Sequence, residues 1–432
     1  MNKQYSIASV EIEDMPLVPG SIVARKAVLK HEVDIDDLIS RYYEWERGCW
    51  EVARQDKTDY GPFLNNVVTC FLNQPEGQNQ VLSPLSMFHA LTAMADLTVG
   101  NTQREILSVM GLPDVANARS ASSIQYRANL AHGGAEVRPA AMMWFDESVK
   151  LDREKIQDMV KTIYVGTCQG LMTDTDYQHA ISLWLNKVAG DIIPSENRAL
   201  EIEEKTKLIL LTSLYFHDKW EKEFNSIKTK TGAFHTINGD VAVAYMRQSK
   251  WLYTCIEDLF TAVPLGFEGG NTMWFVLPKE GLLPEDLLRR NYIMDFPPDW
   301  QHLVHRDVHM EIPRFTVSKE YDLLNDLRTM GVSQLFSDDS QTPYTTIKGM
   351  SIKVDQAKHS TKIKVDERGC EAASYTAIRG VACAGIPKTP PRFDFILDRP
   401  FLFILTGKGN LPLFMGIVHM PERKYENISS VR

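Results

Sequence analysis

Between Thr361 and Ile378 the chain reads for much of its length like a β-strand. Thr361, Ile363 and Val365 alternate with Lys362, Lys364 and Asp366, the period of a strand with one buried face. The alternation resumes after Gly369. Cys370, Ala372, Ser374, Thr376 and Ile378 make a small or apolar face, and Glu371, Ala373, Tyr375, Ala377 and Arg379 a larger, more polar one. Yet this second run leads into Gly380, Gly385, Pro387, Pro390 and Pro391, residue types that weaken strands and populate exposed loops. A segment able to join a sheet but held at the surface implies two competing folded states.

Elsewhere the pattern predicts helices first and then mostly strands. Asp34 to Val52 is helix-like, with Ile39, Tyr42, Tyr43 and Trp50 available for packing. Ser83-Pro84 supplies an N-cap and a proline at the first helical position, followed by Leu85, Phe88, Leu91 and Ala95 on one face. Thr102-Gln-Arg-Glu105 reads as a capping box, with Gly111 and Pro113 stopping the helix it opens. Asp322 caps a helix built on Leu323, Leu327 and Met330, with Gly331 as its stop. Strand-like runs are Leu208–Phe216, Ala262–Leu265, Met273–Leu277, Val308–Val317 and much of 352–418. Together they predict an α+β fold with large mixed sheets.

Composition narrows the function classes. With 432 residues, 44% hydrophobic and 24% charged, the chain has material for a substantial core. A net charge of −9 and the absence of a long basic run argue against nucleic acid, anionic membrane or a heparin-type polyanion as partner. No stretch approaches the roughly 20 apolar residues that span a bilayer. Six scattered cysteines without a Cys-x-x-Cys pair give neither a disulfide scaffold nor metal-ligand spacing, so no metal and no cofactor are expected. There is no Gly-x-Ser-x-Gly, no P-loop and no dinucleotide fingerprint, and Ile35 stands where a zinc protease would place the second histidine after His31-Glu32. The chain is therefore read as a non-enzyme.

Motif order points to a family. Asn79-Gln-Val-Leu-Ser-Pro-Leu-Ser86, Gly100-Asn-Thr102, Leu214-Tyr-Phe-His-Asp-Lys-Trp220 and Ile312-Pro-Arg-Phe315 precede Glu367-Arg-Gly-Cys-Glu-Ala-Ala373, Pro400-Phe-Leu-Phe403 and Leu413-Phe-Met-Gly416. Types, spacing and order resemble a serpin across residues 58–422, with residues 1–57 as an N-terminal extension and 423–432 as a tail. The resemblance implies the serpin fold, helices around large mixed β-sheets with a reactive loop at about 367–392, in a monomer. Its hinge would comprise Glu367, Gly369, Cys370, Glu371, Ala372 and Ala373, where Cys370 departs from the usual Thr or Ser. Ser83, Ser86 and His359 match the family's polar residues beneath the place where the main sheet opens. Thr212 stands where Asn is usual, so one hydroxyl replaces an amide. Arg314 and Trp220 match the basic and aromatic residues at the hinge junction, Arg314 facing Glu367.

The implied function is suicide-substrate inhibition of a serine protease. Two registers for the scissile bond stay open. Counting from the hinge glycine gives Cys383–Ala384, which suits an elastase-like pocket and is favoured, because insertion length must match the sheet. Counting back from Pro400 gives Lys388–Thr389, which suits a trypsin-like one. Two alternatives share the loop: a non-inhibitory carrier or chaperone, and an inhibitor of cysteine proteases. The N-terminus carries Glu11, Glu13 and Asp14 with no apolar run after Lys3, which reads as cytoplasmic, whereas the resemblance implies an extracellular protein.

Overall fold

A computed structural model describes residues 5–19, 21–30, 32–73, 77–130, 136–189, 202, 205–290, 302–336, 347, 356–370 and 390–423. Its strands are β1 (Ser6–Ala8), β2 (Gln80–Leu82), β3 (Glu136–Asp146), β4 (Gly166–Gly170), β5 (Leu208–Lys219), β6 (Lys230–Thr236), β7 (Gly239–Ile256), β8 (Phe260–Gly266), β9 (Thr272–Pro278), β10 (Leu303–Pro313), β11 (Phe315–Asp322), β12 (Gln356–Val365), β13 (Gly369–Cys370), β14 (Arg392–Ile396), β15 (Phe401–Thr406) and β16 (Pro412–Val418). Its α-helices are α1 (Ile22–Leu29), α2 (Ile35–Gln55), α3 (Gly61–Phe71), α4 (Pro84–Leu97), α5 (Gly100–Met110), α6 (Val115–Leu130), α7 (Arg153–Ile163), α8 (Thr175–Ala189), α9 (Pro284–Arg289) and α10 (Leu323–Thr329).

These strands form two mixed sheets. One has seven strands in the order β1-β4-β3-β5-β13-β12-β11. The other has nine, in the order β14-β10-β7-β8-β9-β15-β16-β2, with β6 paired to β7. Helix α4 lies between them, packed on β3 and β5 to one side and β16 to the other. That position explains why every one of its residues is buried. Ser83 caps it by accepting from the Ser86 N–H, with Pro84 at its first turn. Phe315 of the first sheet meets Phe401 and Phe403 of the second at ring distances of 5.7 and 5.4 Å, so the core runs between the sheets.

Four local expectations differ from the structure. The run Val308–Val317 is two strands rather than one: β10 ends at Pro313 in the nine-stranded sheet, and β11 begins at Phe315 in the seven-stranded one. Pro313 has no N–H to offer a ladder, so the chain turns the corner there. The Thr102 capping box does not form, because α5 already starts at Gly100 after Val99 and Thr102 is buried inside its first turn. Glu105 accepts instead from the backbone of Ser333 and Gln334. Helix α2 runs to Gln55, capped by Asp34, and buries Leu38, Tyr42, Glu46, Cys49 and Ala53, which leaves Tyr43 exposed. The fourth concerns Thr212 and belongs to the site.

Candidate functional site

The seven-stranded sheet has a seam at its middle. Strands β5 and β12 are parallel, and among the described residues they pair directly from Ile209–Gln356 to Thr212–His359. At the other end β13 lies between them, with Cys370 in register with Val365 of β12 and Asp218 of β5. Val365 ends β12, and a turn returns the chain into the seam: the Asp366 N–H donates to the Gly369 carbonyl at 3.1 Å. Gly369 has φ +151°, and a Cβ there would lie 2.3 Å from the Asp218 carbonyl oxygen and 2.7 Å from the Lys219 Cα. Only glycine fits so close a backbone approach. Cys370 is buried.

Where the strands pair directly, polar groups lie beneath them. His359 is fully buried, and its Nε2 accepts from the Ser83 N–H at 3.1 Å. The Ser83 hydroxyl donates to Ser86 Oγ at 3.1 Å. Accepting at Nε2 puts the imidazole proton on Nδ1, and burial pushes the group down to about 4, so it is neutral at pH 7. Thr361 Oγ1 donates to the Val81 carbonyl at 3.0 Å, and the Tyr321 ring stacks over His359 at 6.3 Å. Thus β11 and β12 are fastened to the segment Gln80–Ser86. Thr212 is the correction. It sits beside His359 in the ladder and is buried, but its hydroxyl has no hydrogen-bond partner among the described residues. The shorter threonine side chain does not join the Ser83–Ser86–His359 group.

Trp220, Arg314 and Glu367 come together at the other end of the seam. The Trp220 indole donates to the Asp366 carbonyl at 2.9 Å, its backbone N–H donates to the Arg368 carbonyl at 3.0 Å, and its ring stacks on Phe267 at 4.3 Å. The Phe224 N–H donates to the Glu367 carbonyl at 2.9 Å. Glu367 Oε1 accepts from Arg314 Nε at 2.9 Å, from Arg314 Nη2, and from the Thr229 hydroxyl at 2.6 Å. Burial works to raise the Glu367 carboxyl, but these hydrogen bonds outweigh it and hold the group below its ordinary value.

Glu371, Ala372, Ala373, Cys383, Ala384, Lys388 and Thr389 lie outside the described residues. Thr229, Phe224 and Tyr321 were not singled out from sequence, and Thr361 only as a strand position rather than a member of the site. The first two lie some 140 positions from Glu367 and carry no local signal, whereas Thr361 stands on the buried phase of the β12 alternation. Asp218 was also missed. It is buried beside Cys370, accepts from the Lys219 and Gly269 N–H groups and from Asn271 Nδ2, and is pushed up to about 6 by burial against those hydrogen bonds. Its signal was a carboxylate at the end of the long, mostly apolar run that forms β5. Among the described residues Cys49, Cys168 and Cys255 are free thiols, and burial pushes Cys70 and Cys255 to about 11 and Cys168 to about 12, which leaves those three poor nucleophiles. No cluster of His, Cys, Asp and Glu suited to a metal occurs among the described residues.

The seven-stranded sheet thus has a seam between β5 and β12, entered from one end by Gly369 and Cys370. A family model described as Serpin (serine protease inhibitor) matches residues 63–421, and the chain belongs to the serpin family. Serine proteinase inhibitor A3K of Cavia porcellus is 26% identical over 376 residues, covering 84% of this chain and 88% of its own. The native structure of Tengpin, a thermophilic serpin, has a TM-score of 0.71 at 18% identity, covering 84% of this chain and 95% of its own. Thyroxine-binding globulin in complex with thyroxine has a TM-score of 0.70 at 18% identity, covering 84% and 99%. Serpins are in general protease inhibitors rather than catalysts.

Proposed function

We propose that the protein is a suicide-substrate inhibitor of a serine endopeptidase, acting by insertion of its cleaved loop between β5 and β12. The observation that supports this most is β13: Cys370, which opens the second alternation, lies between those two strands in register with both, and Gly369 pairs with β5. The protease serine oxygen attacks the carbonyl carbon of the residue before the cut. The peptide C–N bond breaks, the amine leaves with a proton, and an ester joins loop to enzyme. The freed segment then extends β13 along the seam with Ala372, Ser374 and Thr376 inward, adding main-chain hydrogen bonds at both edges. The ester carries the protease with the moving strand, and distortion of its active site stops deacylation.

The bond assigned is Cys383–Ala384, with an elastase-like target; Lys388–Thr389 and a trypsin-like target are the rival. Incubation with a panel of serine proteases should give a complex that survives a denaturing gel, and sequencing the released C-terminal peptide reads the bond directly. Ala372→Arg forces an unpaired charge into the inward face, at a cost of several kcal/mol, and should turn the inhibitor into a cleaved substrate. Cleavage of the wild-type loop with no complex by any member of the panel rejects trapping in favour of a carrier role.

A further inference from the structure

We propose that one buried water molecule sits beneath β5 and bridges Thr212 of that strand to His89 of α4. The Thr212 hydroxyl is buried and has no hydrogen-bond partner among the described residues, and the same holds for Nε2 of His89. Both residues line one small cavity, and Ser86 lines it with them. A hydroxyl and an imidazole facing so confined a space cost free energy unless each is bonded.

Each of the three polar groups has a bond to give or take. Burial keeps the His89 ring neutral, so it carries one N–H and one lone pair. Nδ1 shares a hydrogen bond of 2.6 Å with the Ser122 hydroxyl of α6, which leaves Nε2 for the cavity. Ser86 Oγ accepts from the Ser83 hydroxyl at 3.1 Å and keeps its own O–H to donate. Thr212 can both donate and accept. Water, with two positions of each kind, serves all three whichever nitrogen of His89 holds the proton. Three partners is the usual number for a buried water.

Size excludes larger occupants. The cavity has a free volume of about 10 Å³, about the room that one water needs and too little for an organic molecule. Its wall does not close over the space. Ala141, in register with Thr212, brings only a methyl group. On the helix side the rings of Tyr126 and Tyr164 stack at 4.6 Å, and His89 meets Tyr126 edge-on at 5.5 Å. The water thus supplies the reach that threonine lacks where the family usually has asparagine.

Place gives the water a role. Thr212 is in register with His359, in the last row in which β5 and β12 pair directly. His359 bonds straight to the Ser83 N–H. Both strands are therefore held to the start of α4, β12 directly and β5 through water. A bridge that must also immobilise a water is the weaker link, so β5 is the side more readily released.

The test turns on a sign. Thr212→Val nearly keeps the side chain's shape and removes its hydroxyl. Facing a dry cavity, that change would remove an unsatisfied buried group and leave the protein as stable as before or more so. With a bridging water it takes away a bonded partner, and the unfolding constant in urea should rise about tenfold. A crystal structure of the wild type that resolves ordered water reads the site directly. One peak should lie within about 2.7–3.2 Å of both Thr212 Oγ1 and His89 Nε2. No peak, or a peak bonded to only one of the two, overturns the bridge, and so does a valine variant no less stable than the wild type. Neither readout depends on protease trapping, so failure here leaves the proposed function standing.

Discussion

The two sheets hold their strands differently. In the nine-stranded sheet β10 and β7 pair without interruption from Leu303–Cys255 to Pro313–Tyr245, and β16 is buried along its whole length. The seven-stranded sheet is as closely knit on either side of its middle. There β3 pairs with β5 from Glu136–His217 to Phe145–Leu208, and β11 with β12 from Phe315–Val365 to Asp322–Lys358. Between β5 and β12 the described ladder is four rows at one end and the two-residue β13 at the other. Strand chemistry is similar throughout; continuity is what differs. Ladder stability accumulates row by row, so a sheet parts most cheaply where rows are fewest. Because β11 and β12 are fastened to Gln80–Ser86, the proposed opening displaces the β5 side.

The comparison breaks first on loop cleavage. If the seam takes a strand, nicking the chain within 380–390 with an unrelated protease should raise the melting temperature on the order of 20 °C. About ten new residues would each add roughly 1 kcal/mol of net hydrogen bonding, and each kcal/mol is worth about 2 °C in a chain of this size. Differential scanning calorimetry before and after nicking decides it. An unchanged or lower value means the seam accepts no strand.

Acid should loosen the fastened side of the seam. The folded-state pKa of His359, about 4, lies below the ordinary 6.5, so between those values the unfolded chain binds more protons than the native one. The histidine's contribution is complete above pH 6.5 and disappears as pH falls toward 4, about 3 kcal/mol in all. His89, pushed down to about 3 by burial, acts in the same direction from α4. The informative quantity is therefore a difference: between pH 7 and pH 4, His359→Asn should lose about 3 kcal/mol less than the wild type. Parallel urea-denaturation profiles would count against a neutral His359 as the fastening.

Much of this contrast was legible in the sequence. Thr361, Ile363 and Val365 are buried as their alternation with lysines requires, and the apolar run from Leu208 is the central strand β5. Ser83-Pro84 located α4 because capping is a local interaction. Less legible was anything set by partners distant in sequence. The break at Arg314 had one local mark, Pro313, but the alternation continues on both sides of it, and only the pairing shows that the two halves belong to different sheets. Thr102 had the composition of a cap but not the place, since Gly100 starts the helix earlier. The silence of Thr212 depends on side-chain reach that no spacing encodes.

Gly369 tests whether β13 closes the seam. Gly369→Ala places a methyl against the Asp218 carbonyl and the Lys219 Cα, both backbone atoms that cannot rotate away. The strained conformation costs on the order of 2 kcal/mol, so the hinge should leave the seam more often while the nine-stranded sheet is untouched. In a Cys383→Ser background, Cys370 should react with a maleimide about tenfold or more faster than in the parent, as followed by mass spectrometry. Equal labelling would show that β13 is held by something other than this close approach.

The smallest expected effect lies at the junction above the seam. Glu367 is nearly covered, its side chain 11% exposed, whereas that of Arg314 is 40% exposed. Solvent therefore screens the guanidinium, and the pair resembles a surface ion pair more than a buried one. Arg314→Ala removes two of the three donors to the carboxylate but leaves Thr229 in place, so the loss at pH 7 should be about 1 kcal/mol. The sign with pH follows from the lowered carboxyl. Its contribution is present above the ordinary value of 4.5 and is lost as pH falls through the folded-state value below it. Urea denaturation of wild type and variant should differ by about 1 kcal/mol at pH 7, and the gap should narrow as the solution is acidified below 4.5. A pH-independent gap would assign the loss to packing by the arginine stem. No gap at all would leave the angle of the hinge to Trp220 and Phe224, whose hydrogen bonds to the Asp366, Glu367 and Arg368 carbonyls do not titrate.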